Sequence, residues 1–206
     1  MYALRALRQV LVDLWDESLL IVLAGVIGSL LTLFIIPIPY VLSAHYRTTL
    51  AISEQRSATF RDWLRWGRED LRFFVRWSLL FFFVAAVLAV NVLFYLQWAA
   101  AWSRAVGAVM AGLLLTWFLP QPFVPAFYLQ QREPGVRVAL RSAAVFMATD
   151  TGSLVVFWLC SALLIVPLFY FAWVLLPAVV PVMALFSHRI VRGYVQPRPE
   201  RDEGEE

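Results

Sequence analysis

The sequence predicts an all-α integral membrane protein: a bundle of five transmembrane helices, the last two a tight hairpin, with amphipathic helices at the interface. Three observations carry this. The 206-residue chain is 62% hydrophobic with a mean hydropathy of +0.74, well above the roughly 45–50% apolar content of soluble domains. A soluble fold of this length would have too little polar surface to cover such a core. Four stretches, 18–44, 77–103, 105–131 and 151–187, contain no Asp, Glu, Lys or Arg, and each exceeds the ~20 residues that cross a ~30 Å hydrocarbon core. The basic residues, all 17 of them arginine, fall in blocks between these stretches.

The elements follow in order. Residues 2–17 repeat Leu4, Leu7, Leu11 and Leu14 at helical spacing, with Arg5, Arg8 and Asp16 elsewhere on the wheel, as an interfacial helix would. The first three uncharged stretches read as single spans. The fourth is too long for one: 37 residues at 1.5 Å each make a helix of roughly 55 Å. Two short spans broken near Pro167 to Phe171 fit better. Arginine placement tests the split. Arg47, Arg56, Arg61, Arg65, Arg68, Arg72 and Arg76 precede the second span, whereas Arg104 alone follows it. Arg132, Arg137 and Arg141 follow the third span, and Arg189, Arg192, Arg198 and Arg201 close the chain. Basic residues collect on the cytoplasmic side, so the third connection and the tail share a side, which requires an even number of crossings between them. The resulting spans are about 18–44, 77–98, 105–130, 153–168 and 171–189, with the N-terminus outside and the C-terminus cytoplasmic. Residues 1–195 form one transmembrane domain, and the acidic, proline-containing 196–206 a disordered tail. Asp13, Asp16 and Glu17 ahead of a long apolar run favour a retained first helix over a cleaved signal peptide.

Chemistry-bearing residues are few. From Phe60 to Ser78, Arg61, Arg65, Arg68, Arg72 and Arg76 fall within an arc of about 80° on a helical wheel. Phe60, Trp63, Leu64, Gly67, Leu71, Phe74 and Val75 occupy the neighbouring arc. Such a helix lies on the membrane surface and turns into the second span around Arg76 and Trp77. Its arginines and Trp63 are candidate contacts for anionic lipid headgroups or a cytoplasmic partner. Asn91, Thr116 and Gln121 are the candidate intramembrane polar residues, with Ser161 behind them. Pro120, Pro122 and Pro125 in the third span, with Pro177 and Pro181 in the last, fit either kinked packing helices or a broken-helix binding site. Ala24/Gly28 and Ala108/Gly112 permit close helix contacts. His45 and His188 read as interfacial polar residues, without the supporting carboxylates a metal site needs, and the single Cys160 as a small buried hydrophobe. Asp150-Thr151-Gly152-Ser153 reads as a helix cap. No Asp, Glu, Lys or Arg lies within the four apolar stretches, which disfavours proton relays and ion-coupled pumps. No P-loop, zinc-protease or nucleophile-elbow motif is present. These features point to no enzyme, no cofactor and no nucleic acid.

Pro39-Tyr-Val-Leu-Ser-Ala-His-Tyr-Arg47, Ala58-Thr-Phe-Arg-Asp-Trp63 and the closing Leu-Phe-Ser-His-Arg-Ile-Val-Arg192 resemble the YesL-like family of bacterial membrane proteins, as do length and span layout. Ile36-Pro-Ile-Pro39 stands where some members carry a glycine-rich proline motif. The resemblance implies a multi-pass protein of the bacterial plasma membrane, of unknown molecular activity, serving as a non-enzymatic accessory or scaffold beside a transporter complex for carbohydrate uptake. The alternative is a small transporter or channel for a neutral solute or lipid, which would line a polar cavity with residues such as Asn91 and Gln121.

Overall fold

The computed structural model describes residues 2–32, 38–131, 135–171 and 178–195. Among these residues every regular element is an α-helix: α1 (Tyr2–Asp16), α2 (Ser18–Thr32), α3 (Ile38–Ser53), α4 (Phe60–Glu69), α5 (Leu71–Leu96), α6 (Ala101–Phe118), α7 (Phe123–Gln130), α8 (Val136–Thr149), α9 (Thr151–Phe171) and α10 (Val179–Val195). Three stretches are long and apolar enough to cross a membrane: Leu71–Leu96, Ala101–Gln130 and Thr151–Tyr170. They also expose large apolar side chains, among them Leu79, Phe83, Val90, Leu115, Leu163 and Phe169. Apolar surface of this extent suits lipid rather than water.

The expected single helix over 18–44 is two helices packed side by side. The backbone at Gly28 is so close to α3 that a Cβ there would stand 2.6 Å from His45 Nε2 and 2.9 Å from Val41 Cγ1. In one continuous helix Gly28 and His45 would be roughly 25 Å apart at 1.5 Å per residue. Proline supplies the reason: Pro39 sits in the first turn of α3, where its missing N–H costs nothing, but it cannot continue a preceding helix. α3 is then buried along most of its length. In α1 the buried positions are Ala6 and Val10, while Leu11 of the expected apolar stripe is exposed.

α4 begins at a reciprocal cap. Thr59 Oγ1 accepts from the Asp62 amide (3.3 Å), and the Thr59 amide donates to Asp62 Oδ2 (3.1 Å), which satisfies free donors at the helix start. The helix breaks at Asp70 (φ −110°, ψ 20°), earlier than the expected turn around Arg76. Arg47 Nε donates to Asp70 Oδ2 (2.5 Å), and Tyr128 Oη donates to Oδ1 (3.1 Å). The carboxylate at the bend is thereby held from α3 and α7. Arg72 and Arg76 belong to the first turns of α5.

α9 runs unbroken through Pro167 to Phe171, so the break expected at 167–171 comes no earlier than Phe171. The segment 172–177 lies outside the described residues, as does the tail 196–206. α9 and α10 are antiparallel. The Phe157 and Phe186 rings lie 5.3 Å apart, and Tyr194 Oη lies 3.1 Å from Thr149 Oγ1, just before α9 starts. The end of α10 therefore returns to the start of α9. Arg192 donates to the Ser53 carbonyl (3.1 Å), and Arg189 binds Asp13 through two nitrogens at 2.9 and 2.5 Å. The ends of α1, α3 and α10 thus meet at one end of the molecule.

α4 docks on α3 through a glycine. A Cβ at Gly67 would lie 2.5 Å from the Tyr40 ring, whereas at Gly112 it would meet nothing within 4 Å. Gly67→Ala should therefore cost about 1–3 kcal/mol through overpacking. Gly112→Ala should leave stability unchanged or raise it by up to about 1 kcal/mol. Thermal unfolding of the two variants in one neutral detergent checks the ordering; equal melting temperatures would refute the packing described for α4.

Candidate functional site

The five arginines expected on one helix are divided between two. Arg61, Arg65 and Arg68 on α4, and Arg72 and Arg76 on α5, are all exposed. Arg65 reaches Asp62 at 3.4 Å and Glu69 at 3.8 Å. Pairs so exposed add little stability and leave the guanidiniums available. The hydrogen bonds from Thr59 hold the Asp62 carboxyl below its ordinary range, so it stays ionised within this face. Trp63 is corrected: it is fully buried, stacked on Phe60 (5.5 Å) and edge-on to Tyr40 (6.3 Å). The wheel placed it beside the arginines, but its arc faces α3, so it packs the helix down and contacts neither lipid nor partner.

The two histidines lie inside the protein rather than at an interface. Both are fully buried, and they engage different neighbours. Trp63 Nε1 donates to His45 Nδ1 (3.4 Å). His188 Nε2 lies 2.9 Å from the Tyr46 carbonyl oxygen, and Gln130 Nε2 lies 3.1 Å from His188 Nδ1. One tautomer satisfies all three groups: Nε2–H donates to the carbonyl while Nδ1 accepts from the amide. The ring partners in these bonds are Trp63, Gln130 and the Tyr46 carbonyl. Among the described residues no group of three His, Cys, Asp or Glu side chains could hold a metal ion.

The intramembrane polar residues do not converge. Asn91 Nδ2 donates to Val87 O (2.7 Å), and Thr116 Oγ1 to Gly112 O (2.8 Å), each back into its own helix. Ser161 does the same to Phe157 O (2.8 Å). Gln121 is buried in the bend between α6 and α7. Its Oε1 accepts from Trp77 Nε1 (3.0 Å), and its Nε2 donates to Trp117 O (2.9 Å). Around the prolines of that bend, Trp158 Nε1 donates to Leu119 O (3.1 Å) and Tyr46 Oη to Pro122 O (2.8 Å). Carbonyls that a broken-helix site would offer to a ligand are bonded within the protein, which favours the kinked-packing reading of these prolines.

Two charge clusters were missed by sequence reasoning. Arg47 is paired with Asp70 at 2.5 Å and reaches Glu69 at 3.5 Å. Burial works against its charge, but the hydrogen bond and charge of Asp70, with Glu69, more than offset it and push the guanidinium above its ordinary range. Asp13 and Arg189 form a largely buried pair across 176 positions of sequence, and no local pattern signals such a partnership.

No family model, curated protein or solved structure matches the chain.

Proposed function

We propose that this chain is a multi-pass protein of the bacterial plasma membrane, acting as a non-enzymatic scaffold or accessory whose working surface is its arginine-rich end. One observation carries the reading. The long helices are apolar on their exposed faces, Asn91, Thr116 and Gln121 are hydrogen-bonded within the protein, and five exposed arginines are grouped on α4 and the start of α5. The YesL-like resemblance adds a role beside a transporter complex for carbohydrate uptake. Internal bonding of Asn91, Thr116 and Gln121 makes a polar transport pathway the weaker alternative.

The proposed membrane placement departs from five crossings. α5, α6 with α7, α9 and α10 make four crossings, and α2 with α3 forms a hairpin that enters and leaves on the same side. The Asp13–Arg189 pair supports cytoplasmic placement of both ends, in place of an external N-terminus. Aromatic residues at the opposite tip, Tyr95, Trp98 and Trp102, suit the far interface. From Arg76 to Trp98 the chain covers roughly 33 Å at 1.5 Å per residue, close to the thickness of a hydrocarbon core.

Reporter fusions at residues 2, 55, 99 and 200 should be cytoplasmic except at 99; an external signal at 55 or 200 would overturn this orientation. For the accessory role, purification in mild detergent should recover a transporter subunit with the chain. Recovery of the chain alone, with unaltered growth on oligosaccharides after deletion, would count against it.

A further inference from the structure

A second cationic feature lies on a different part of the molecule. Phe127, Gln131, Arg137, Val138, Val145 and Tyr194 help line a groove of about 960 Å³ between α7, α8 and the end of α10. This is at the upper end of the range for small-molecule clefts. Its walls are mostly aliphatic and aromatic. Gln131 Nε2 donates to Ser142 Oγ (2.6 Å), so two of its polar side chains bond each other. Tyr194 is fixed against Phe127 (6.2 Å) and Phe146 (5.3 Å), with its hydroxyl on Thr149. Arg137 and Arg141 stand one helical turn apart on the exposed side of α8. Neither makes an ion pair among the described residues.

We propose that this groove binds an anionic phospholipid, its phosphate on Arg137 and Arg141 and its acyl chains along Val138 and Val145. Charge complementarity selects the headgroup. Two guanidiniums at (i, i+4) spacing offer planar donor sets to phosphate oxygens, and the apolar walls accept hydrocarbon where a free anion would gain nothing. A soluble acidic segment would satisfy the arginines but leave those walls uncovered. The groove adjoins the cytoplasmic end of the helices, within reach of the inner leaflet. The proposal rests on the membrane placement above, but not on the lipid-facing role of α4.

The test uses a photoactivatable phosphatidylglycerol with a diazirine in one acyl chain, added in trace amounts to the full-length protein in dodecyl maltoside. Cross-links are mapped by mass spectrometry. Wild type should label at 138–145 and 194–195. Arg137→Gln with Arg141→Gln should reduce that labelling roughly thirtyfold, two charges at about 1 kcal/mol each converted at 1.4 kcal/mol per tenfold. Labelling on α4 should be unchanged. Val145→Trp, which fills the groove without removing charge, should abolish labelling there, and both variants should melt as wild type does. Unlabelled phosphatidylcholine of equal chain length should not compete, and inorganic phosphate should compete only at far higher concentration. Equal labelling in the arginine variant, equal competition by phosphatidylcholine, or phosphate as effective as lipid would overturn the proposal. So would a tenfold rise in labelling on removal of residues 196–206, which would make the acidic tail the occupant.

Discussion

A backbone carbonyl without a donor partner is costly wherever water is excluded, and proline creates such carbonyls. Much of this molecule is organised around the place where three prolines interrupt an apolar helix, at Pro120, Pro122 and Pro125. The bend needs donors that can reach a carbonyl while remaining apolar along most of their length. Tyrosine and tryptophan meet both conditions. Tyr46 from α3 and Trp158 from α9 each donate to a carbonyl of the bend, and Gln121 within it both donates to α6 and accepts from Trp77 of α5. Four helices are thus tied to one interruption, and the same bonds fix how α3 sits against α9 and α5.

α3 shows what this demands of a core helix. It buries Ser43, His45, Thr48, Thr49 and Ser53, whereas α5 exposes leucine, valine and phenylalanine over most of its length. In water the reverse distribution would be expected. With lipid outside, apolar side chains lose nothing by facing outward, and the interior is where hydrogen bonds can be completed. Ser43 donates to Trp66 O (3.1 Å), and Thr49 to His45 O (2.9 Å), so burial of these hydroxyls carries little penalty. Among the described residues Thr48 Oγ1 and Ser78 Oγ have no hydrogen-bond partner.

That inversion also explains what could be read from sequence. α5, α6 and α9 were legible because a lipid-facing helix is apolar all round and needs no periodicity to be recognised. α3 was not, since Arg47 and the polar run 43–49 made its second half look like a solvated connection. The hairpin of α2 and α3 was hidden for the same reason: hydropathy records how apolar a stretch is, not whether the chain reverses within it. The antiparallel return of α10 was foreshadowed by arginine parity, because charge location constrains direction where hydropathy does not. Trp63 was misplaced because a wheel resolves angles around one helix but not which neighbour covers each angle. The two histidines look alike in sequence, yet Trp63 engages one and Gln130 the other, partners distant in the chain.

Arginine divides by the same local rule throughout. Where an aspartate is within reach in the folded chain, the guanidinium turns inward and becomes structural, as Arg47 does on Asp70 and Arg189 on Asp13. The Asp13–Arg189 pair is largely buried, and removing one partner of such a pair typically costs about 3–5 kcal/mol; Arg47 is 32% exposed, so solvent screens its pair with Asp70 more. Arg137 and Arg141 are exposed beside Val138 and Val145 and make no ion pair among the described residues. On α4 the acidic neighbours Asp62 and Glu69 engage Arg65 only loosely, leaving Arg61 and Arg68 to the surface. The apolar stretches 77–103, 105–131 and 151–187 themselves carry no Asp, Glu, Lys or Arg. Exposed arginines of α4, α5 and α8 stand beside apolar side chains, a combination that suits an anionic amphiphile at a bilayer interface.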